Sequence, residues 1–181
     1  MRIRSIGPVI AAAIGATLLA ARLLGQQGEG AAADQKAAWN RIKSLAGTWK
    51  GTDDTKAPPS TIERNFEMIV QDRFLLVRTK SASAKETHED WAIFSYDGFK
   101  KKVMMRQFAG EGFINRFALD EISPDGNTLT FLSEDCENAP PGFRVRMEYT
   151  LAGDDEFSQR MHLAPRGKEF SQCVGGTLRR E

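Results

Sequence analysis

The chain has 181 residues, a length that fits one domain. Its 25 basic residues nearly balance 24 acidic ones, so no strong positive field is available to hold nucleic acid. Two cysteines exclude a disulfide-dense scaffold. The content of 41% hydrophobic and 27% charged residues is typical of a soluble globular domain.

Residues 1–25 have the pattern of a secretory signal peptide. Arg2 and Arg4 provide the charged start, and the uncharged, Ala-rich stretch Ser5–Ala21 follows them. The alternative is an uncleaved membrane anchor, but this stretch is short for a membrane-spanning helix. We therefore expect export, with no stable insertion in the membrane once the signal is removed.

Export sets the expected boundaries of the mature protein and its compartment. Cleavage is expected after Gly25 or after Ala33, where small residues precede the site. Residues 26–36 are then a polar, Gly- and Ala-rich lead that is predicted to be disordered. Residues 37–181 form the predicted domain, which we expect to be periplasmic or secreted.

In an oxidising compartment Cys136 and Cys173 could form a disulfide; the alternative is two separate thiols.

A short helix opens the predicted domain. Ala38, Trp39, Ile42 and Leu45 recur at helical spacing, and Gly47 ends the pattern. This spacing predicts a helix over residues 37–45.

The rest of the chain alternates between apolar and polar residues, the pattern of β-strands. Tight turns such as Asp97-Gly98 separate the segments, and connections this short join antiparallel neighbours. Ten strands are predicted: Gly47–Thr52, Thr61–Val70, Arg73–Ser81, Thr87–Tyr96, Lys101–Phe108, Gly112–Ile122, Thr128–Glu134, Arg144–Ala152, Glu156–Ala164 and Glu169–Arg179.

The predicted fold is all-β, a single antiparallel up-and-down barrel of about ten strands with a short N-terminal helix. Closing the sheet removes its exposed edges, and ten strands enclose more space than eight, which side chains alone can fill. We therefore expect an internal cavity for a small hydrophobic or amphipathic molecule. The alternative is a filled barrel that acts as a structural or interaction module. The longer connections Asp53–Ser60 and Asp135–Phe143 are candidates for the rim of the barrel.

The segment Gly47-Thr48-Trp49, which follows the short helix, resembles the opening of lipocalin-like barrels, in which the Trp closes one end. The rest is similar to a group of bacterial lipocalin-like proteins of unknown function. This resemblance implies the barrel fold and carries no established catalytic residues. Its matching segments are His88–Trp91, Glu111–Phe113, Glu121–Gly126, Glu137–Gly142, Asp155–Phe157 and Arg179-Arg180.

The nitrobindin-like haem barrels are a more distant resemblance, because they also begin with Gly-x-Trp. Their haem is held by a His near the C-terminus, whereas the strand Glu169–Arg179 contains no His. His162 in the preceding strand is left as the alternative haem ligand, if its face of the strand is the interior. The other interpretation of His162 is a polar row that faces solvent.

Arginines at alternating positions are candidates for binding a ligand carboxylate, because a guanidinium offers a fixed fork of donors. Arg106 and Arg116 lie on adjacent predicted strands, and Tyr149 is a possible hydroxyl donor. With Trp49 and Phe117 they form the predicted ligand-binding set. Alternation does not say which face is interior, so the opposite arrangement, with Arg106 and Arg116 in water, stays open.

The chain contains none of the common catalytic motifs. Gly-x-Ser-x-Gly, the phosphate-binding loop and Gly-x-Gly-x-x-Gly are absent from the sequence. His88 and Asp90 share one side of a strand, but two ligands do not make a specific metal site, and a charged strand end is the preferred interpretation. No enzyme activity, metal or cofactor is predicted, apart from the haem alternative.

Overall fold

A computed structural model describes residues 34–55 and 59–181 of the chain. The predicted signal peptide, both predicted cleavage sites and part of the Asp53–Ser60 connection lie outside the described residues. In the described part of the chain, no helix combines the length and the apolar content needed to cross a membrane.

One helix, α1, covers residues 34–43. It begins earlier than the predicted helix, and residues 34–36 are helical although they were assigned to the lead. The side chain of Gln35 explains part of this difference: its Nε2 donates to the carbonyl of Leu119, and its Oε1 accepts from the backbone N–H of Val103.

Ten strands follow α1 in chain order. Their bounds are β1 Gly47–Asp53, β2 Ser60–Ile69, β3 Phe74–Ala82, β4 Thr87–Asp97, β5 Lys102–Ala109, β6 Ile114–Ile122, β7 Thr128–Glu137, β8 Arg144–Leu151, β9 Glu156–Ala164 and β10 Ser171–Arg180. All ten predicted strands are present, most with ends within one or two residues. The largest difference is β7, which runs on to Glu137 and so shortens the connection predicted from Asp135 to Phe143.

The strands form one closed antiparallel barrel, as predicted. Each strand pairs with the next along the chain, and β1 pairs with β10 to close the sheet. The turns are short, so no strand needs a crossover. Closure leaves one face of the sheet inside the barrel and the other in water. Successive residues of a strand therefore alternate between buried and exposed positions.

Two glycines lie where the barrel closes between β1 and β10. A Cβ atom on Gly51 would collide with the backbone carbonyl of Thr177, and one on Gly176 would collide with that of Thr52. Glycine has no Cβ, so it permits this close approach of the two backbones.

The end of the barrel near α1 is filled by large apolar side chains; we call it the closed end. Trp49 is fully buried there, donates from Nε1 to the carbonyl of Leu45 at 2.7 Å and packs edge-to-face on Phe157. The Arg180 guanidinium lies 4.2 Å from the Trp49 ring centroid. Further buried rings and thioethers continue the packing: Phe66, Phe94, Met105, Phe117, Phe131, Met147 and Tyr149.

Phe157 is the side chain that tests this packing most directly, because it contacts Trp49, Phe66 and Tyr149. We expect Phe157→Ala to lower the free energy of unfolding by about 3–5 kcal/mol, through lost burial and a residual cavity. Urea denaturation followed by far-UV circular dichroism measures this change. Phe99→Ala is the matched control, since Phe99 is fully exposed at 101%. An equal loss of unfolding free energy in both variants would contradict the placement of Phe157 in the core.

Candidate functional site

A cavity of about 360 Å³ occupies the opposite end of the barrel, which we call the open end. Its rim includes residues of the β3–β4 and β5–β6 connections, such as Glu86 and Glu111. This volume lies at the small end of the range for ligand sites in proteins. The barrel is thus filled at one end and hollow at the other, which departs from both a wholly open lumen and a wholly filled one.

The cavity wall is apolar on one part and polar on the other. The apolar side chains come mainly from β2, β8 and β9 and from the loops at the open end: Ile62, Ala109, Phe113, Phe143, Val145, Met161, Leu163 and Val174. Seven polar residues of the wall are buried. Asp53 and Ser60 lie at the ends of β1 and β2, and the other five, which we call the polar layer, lie within the strands: Arg64, Thr79, Gln107, Asn115 and Gln159. At each of these five inward positions a polar residue stands where the alternation of a strand usually places a hydrophobic one.

Arg64 is the buried cation of the polar layer. It is only 6% exposed and lies on the inner face of β2, between Ile62 and Phe66. Its Nε has no hydrogen-bond partner, and no described carboxylate lies within 4.0 Å of the guanidinium. A buried charge without a partner costs several kcal/mol, so this guanidinium is suited to bind an anion.

The buried amides of the polar layer differ in how well they are satisfied. Asn115 Nδ2 donates to Gln107 Oε1 at 3.2 Å, so these two side chains bond to each other. Gln159 Nε2 donates to the sulfur of Met147 at 2.7 Å, but Gln159 Oε1 is buried without a partner. Within the polar layer, two fully buried atoms therefore lack a hydrogen-bond partner: the donor Arg64 Nε and the acceptor Gln159 Oε1.

Tyr149 lies beneath the polar layer and is almost fully buried. Burial raises its pKa to about 12, the positive charge of Arg64 acts in the opposite direction, and the negative charge of Asp90 raises the pKa further. The hydroxyl lies 4.0 Å from the sulfur of Met105. Tyr149 is thus a neutral hydroxyl close enough to Arg64 to feel its charge, and it does not itself line the cavity.

Charged residues gather at the rim of the cavity around His88. His88 Nε2 lies 3.6 Å from Asp90 Oδ2, and His88 Nδ1 lies 3.3 Å from Glu111 Oε1. The structure brings His88 and Asp90 together on one side of β4, as the alternation predicts, and adds Glu111 from the β5–β6 connection. Among the described residues, no group of three or more His, Cys, Asp or Glu side chains is placed to hold a metal ion.

Three of the predicted ligand-binding residues point into the barrel but lie in its filled part. Trp49, Phe117 and Tyr149 are buried among other side chains of the core and do not line the cavity. The predicted role of Trp49 in closing one end agrees with its position beside Leu45 and Arg180.

The other two predicted residues lie on the outside. Arg106 and Arg116 are exposed on the outer faces of β5 and β6, and Arg116 bonds to Asp135. The expectation that they face the interior is therefore corrected. Gln107 and Asn115 occupy the adjacent inward positions, because the pleat turns successive side chains to opposite faces.

His162 also lies on the outer face, on β9 opposite Arg146 of β8. Its Nδ1 is 4.0 Å from Glu148 Oε1, and burial by neighbouring side chains lowers its pKa. A haem in the cavity could not reach this imidazole through the sheet. The haem alternative through His162 is therefore corrected.

Cys136 and Cys173 are not bonded to each other. Cys136 lies on β7 and Cys173 on β10, with β8 and β9 between them in the sheet. Three strand spacings amount to about 14 Å, which exceeds the span of a disulfide. The Sγ of Cys173 lies 3.4 Å from the carbonyl of Met161.

Arg64 is not among the ligand-binding residues predicted from the sequence, which include Arg106 and Arg116 instead. The signal was present in β2, where Ile62, Phe66 and Met68 form the apolar face and Arg64 interrupts it. An arginine on the apolar face of a strand is a stronger indication of an interior cation than arginine repetition alone. Gln159 gives the same signal in β9, between Phe157 and Met161.

The fold and cavity define a closed ten-stranded antiparallel barrel protein with a polar layer inside one end. Residues 34–180 match the family described as a protein of unknown function, DUF1579, and the chain belongs to this family. Among solved structures it is similar to the crystal structure of Rv2717c from M. tuberculosis, at 17% sequence identity and a TM-score of 0.59. That match covers 80% of this chain and 97% of the other, and it shows a shared fold alone. No curated protein matches the chain.

The raised pKa of Tyr149 predicts a specific pH dependence of stability. Its pKa is raised from 10.0 to about 12 by folding, so the folded state holds this proton more tightly and stability falls as the pH rises through this window. We expect the free energy of unfolding to fall by roughly 1 kcal/mol more in the wild type than in Tyr149→Phe between pH 9 and pH 11. Urea unfolding at each pH measures this free energy. Identical pH profiles for the wild type and Tyr149→Phe would contradict the burial of the Tyr149 hydroxyl.

Proposed function

We propose that the protein binds a small amphipathic anion in the cavity at the open end of the barrel. The anionic group lies against Arg64 at the polar layer, and the apolar part extends towards the rim. The observation that carries this proposal is the guanidinium of Arg64, which is 6% exposed, lines the cavity and has an unpartnered Nε.

Electrostatics favours an anion at this position over water alone. The guanidinium is planar and presents parallel N–H donors that fit a carboxylate. In a poorly hydrated cavity such a pair is stronger than on the surface. A carboxylate would satisfy a charge that no described carboxylate balances within 4.0 Å.

The apolar part of the wall supports an amphipathic ligand over a fully polar one. Val145, Met161 and Leu163 line the cavity from adjacent strands β8 and β9, and Phe143 lies beside them at the rim. Each buried methylene of a ligand gains about 0.8 kcal/mol against such a surface. An alkyl or aryl group directed towards the rim would contact these side chains.

The rim limits the charge of the ligand. Glu86 and Glu111 line the cavity from the connections at the open end, whereas Asp90 lines it opposite Thr79, which is itself opposite Arg64. Carboxylates at the entrance repel ligands with several negative charges, whereas a single carboxylate can be carried past them by favourable contacts of its apolar part. These features support a monoanion and disfavour nucleotides and polyphosphates.

We further propose that the protein is lipocalin-like and is exported to the periplasm or secreted. Trp49 at the closed end, within Gly47-Thr48-Trp49, supports the first part. Arg2, Arg4 and the apolar stretch Ser5–Ala21 support the second.

Octanoate is a suitable probe of the proposed binding site, because it joins one carboxylate to a short alkyl chain. We expect it to bind the wild type and to bind Arg64→Gln at least tenfold more weakly, because the variant loses the charged donor. Isothermal titration calorimetry measures both affinities. Arg106→Gln is the matched control, since Arg106 lies on the outer face, and we expect it to bind as the wild type does.

Two results would overturn the binding proposal. One is the absence of octanoate binding to folded wild type at millimolar concentration. The other is equal binding by the wild type and Arg64→Gln, once urea unfolding has shown that both proteins are folded.

Export is tested by fractionating cells of a Gram-negative host that express the full chain. We expect the periplasmic protein to begin at Gln26 or Asp34, as intact mass would show, following the two expected cleavage sites. Replacing both Leu18 and Leu19 with Arg interrupts the apolar stretch, and we expect uncleaved protein in the cytoplasm. An uncleaved wild-type chain in the cytoplasm would refute the export proposal.

A further inference from the structure

Besides Arg64 Nε, the residues that line the cavity include a second buried polar atom without a partner, Gln159 Oε1. Because this atom is a hydrogen-bond acceptor, it favours a ligand that carries a donor. Gln159 is 6% exposed, lines the cavity and has a buried Oε1 without a hydrogen-bond partner. A buried acceptor left unsatisfied costs about 1–3 kcal/mol. A ligand with a hydrogen-bond donor removes that cost, whereas a simple carboxylate has only acceptors to offer.

The orientation of the Gln159 amide is determined by its other end. Its Nε2 donates to the sulfur of Met147 at 2.7 Å. A thioether can accept a hydrogen bond but cannot donate one, so turning the amide over would place oxygen against sulfur with no hydrogen between them. The carbonyl oxygen therefore keeps its position, and no described group donates a hydrogen bond to it.

Two other buried amides of the polar layer bond to each other. Gln107 Oε1 accepts from Asn115 Nδ2 at 3.2 Å. Gln159 and Arg64 are the two members of the layer with a fully buried atom that lacks a hydrogen-bond partner. Both are close to Tyr149: Gln159 is its direct partner across β8 and β9, and the charge of Arg64 acts on its hydroxyl.

We propose, resting on the proposed function, that the ligand is a hydroxylated monocarboxylate whose carboxylate accepts from Arg64 and whose hydroxyl donates to Gln159 Oε1. A neutral hydroxyl can donate to Gln159 Oε1 without adding a second positive charge near Arg64. The apolar chain of the hydroxy acid lies along Val145 and Leu163, towards the rim.

The test compares octanoate with its 2-hydroxy and 3-hydroxy derivatives by isothermal titration calorimetry on the full chain. We expect at least one hydroxy acid to bind the wild type about five- to tenfold more tightly than octanoate, the gain from one buried hydrogen bond. In Gln159→Met, a side chain of similar length without the acceptor, this advantage is expected to disappear, so that the hydroxy acid and octanoate bind the variant with equal affinity. Gln172→Met is the matched control, since Gln172 is exposed on β10, and it is expected to retain the advantage.

The possible outcomes distinguish the hydroxy-acid inference from the proposal that an anion binds at Arg64. If octanoate binds in an Arg64-dependent manner but neither hydroxy acid binds more tightly, the hydroxy-acid inference is wrong and the anion site stands. If a hydroxy acid is preferred equally by the wild type and Gln159→Met, the assignment to Gln159 is wrong. If none of the three acids binds, the proposed function itself fails.

Discussion

The pairing of β1 with β10 is the contact on which the rest of the structure depends. It joins the first and last strands, removes both sheet edges and creates an inside and an outside. Gly51 and Gly176 allow the two backbones to approach closely at this seam. Without closure, the inner face that carries the apolar core and Arg64 would be open to water, and neither a buried charge nor a cavity would exist.

Closure alone does not decide how the interior is used; the size of the inward side chains does. At the closed end the inward positions carry Trp49, Phe131, Phe157 and other large groups that interlock edge-to-face, and α1 adds Trp39 and Ile42. At the open end several inward positions carry smaller or polar groups, such as Thr79 and Ser81 of β3, and about 360 Å³ is left. The barrel thus combines a stabilising core and a cavity along one axis.

The polar layer lies at the boundary between these two halves. It places a cation and several amides directly above the aromatic core, so a bound head group would meet hydrogen-bonding atoms while the layer below excludes water. Core atoms cannot satisfy Arg64 Nε and Gln159 Oε1, and within the described residues no other group does. Unsatisfied buried polar atoms are rare in folded proteins and call for an explanation, which the proposed ligand would supply.

The sequence by itself determined the strands and their antiparallel order, because alternation and short turns are local properties that need no knowledge of distant contacts. The bounds of β9, Glu156–Ala164, follow from Phe157 and the turn before it, and match in full. The tertiary structure alone decided which face of each strand is interior. Alternation defines two faces for β5 and β6 without ranking them, so Arg106 and Arg116 could be placed only after closure had assigned their faces to water. The same closure brought Arg64 and Gln159, 95 residues apart in the chain, to one cavity, because curvature of the sheet joins inward side chains that no local pattern connects.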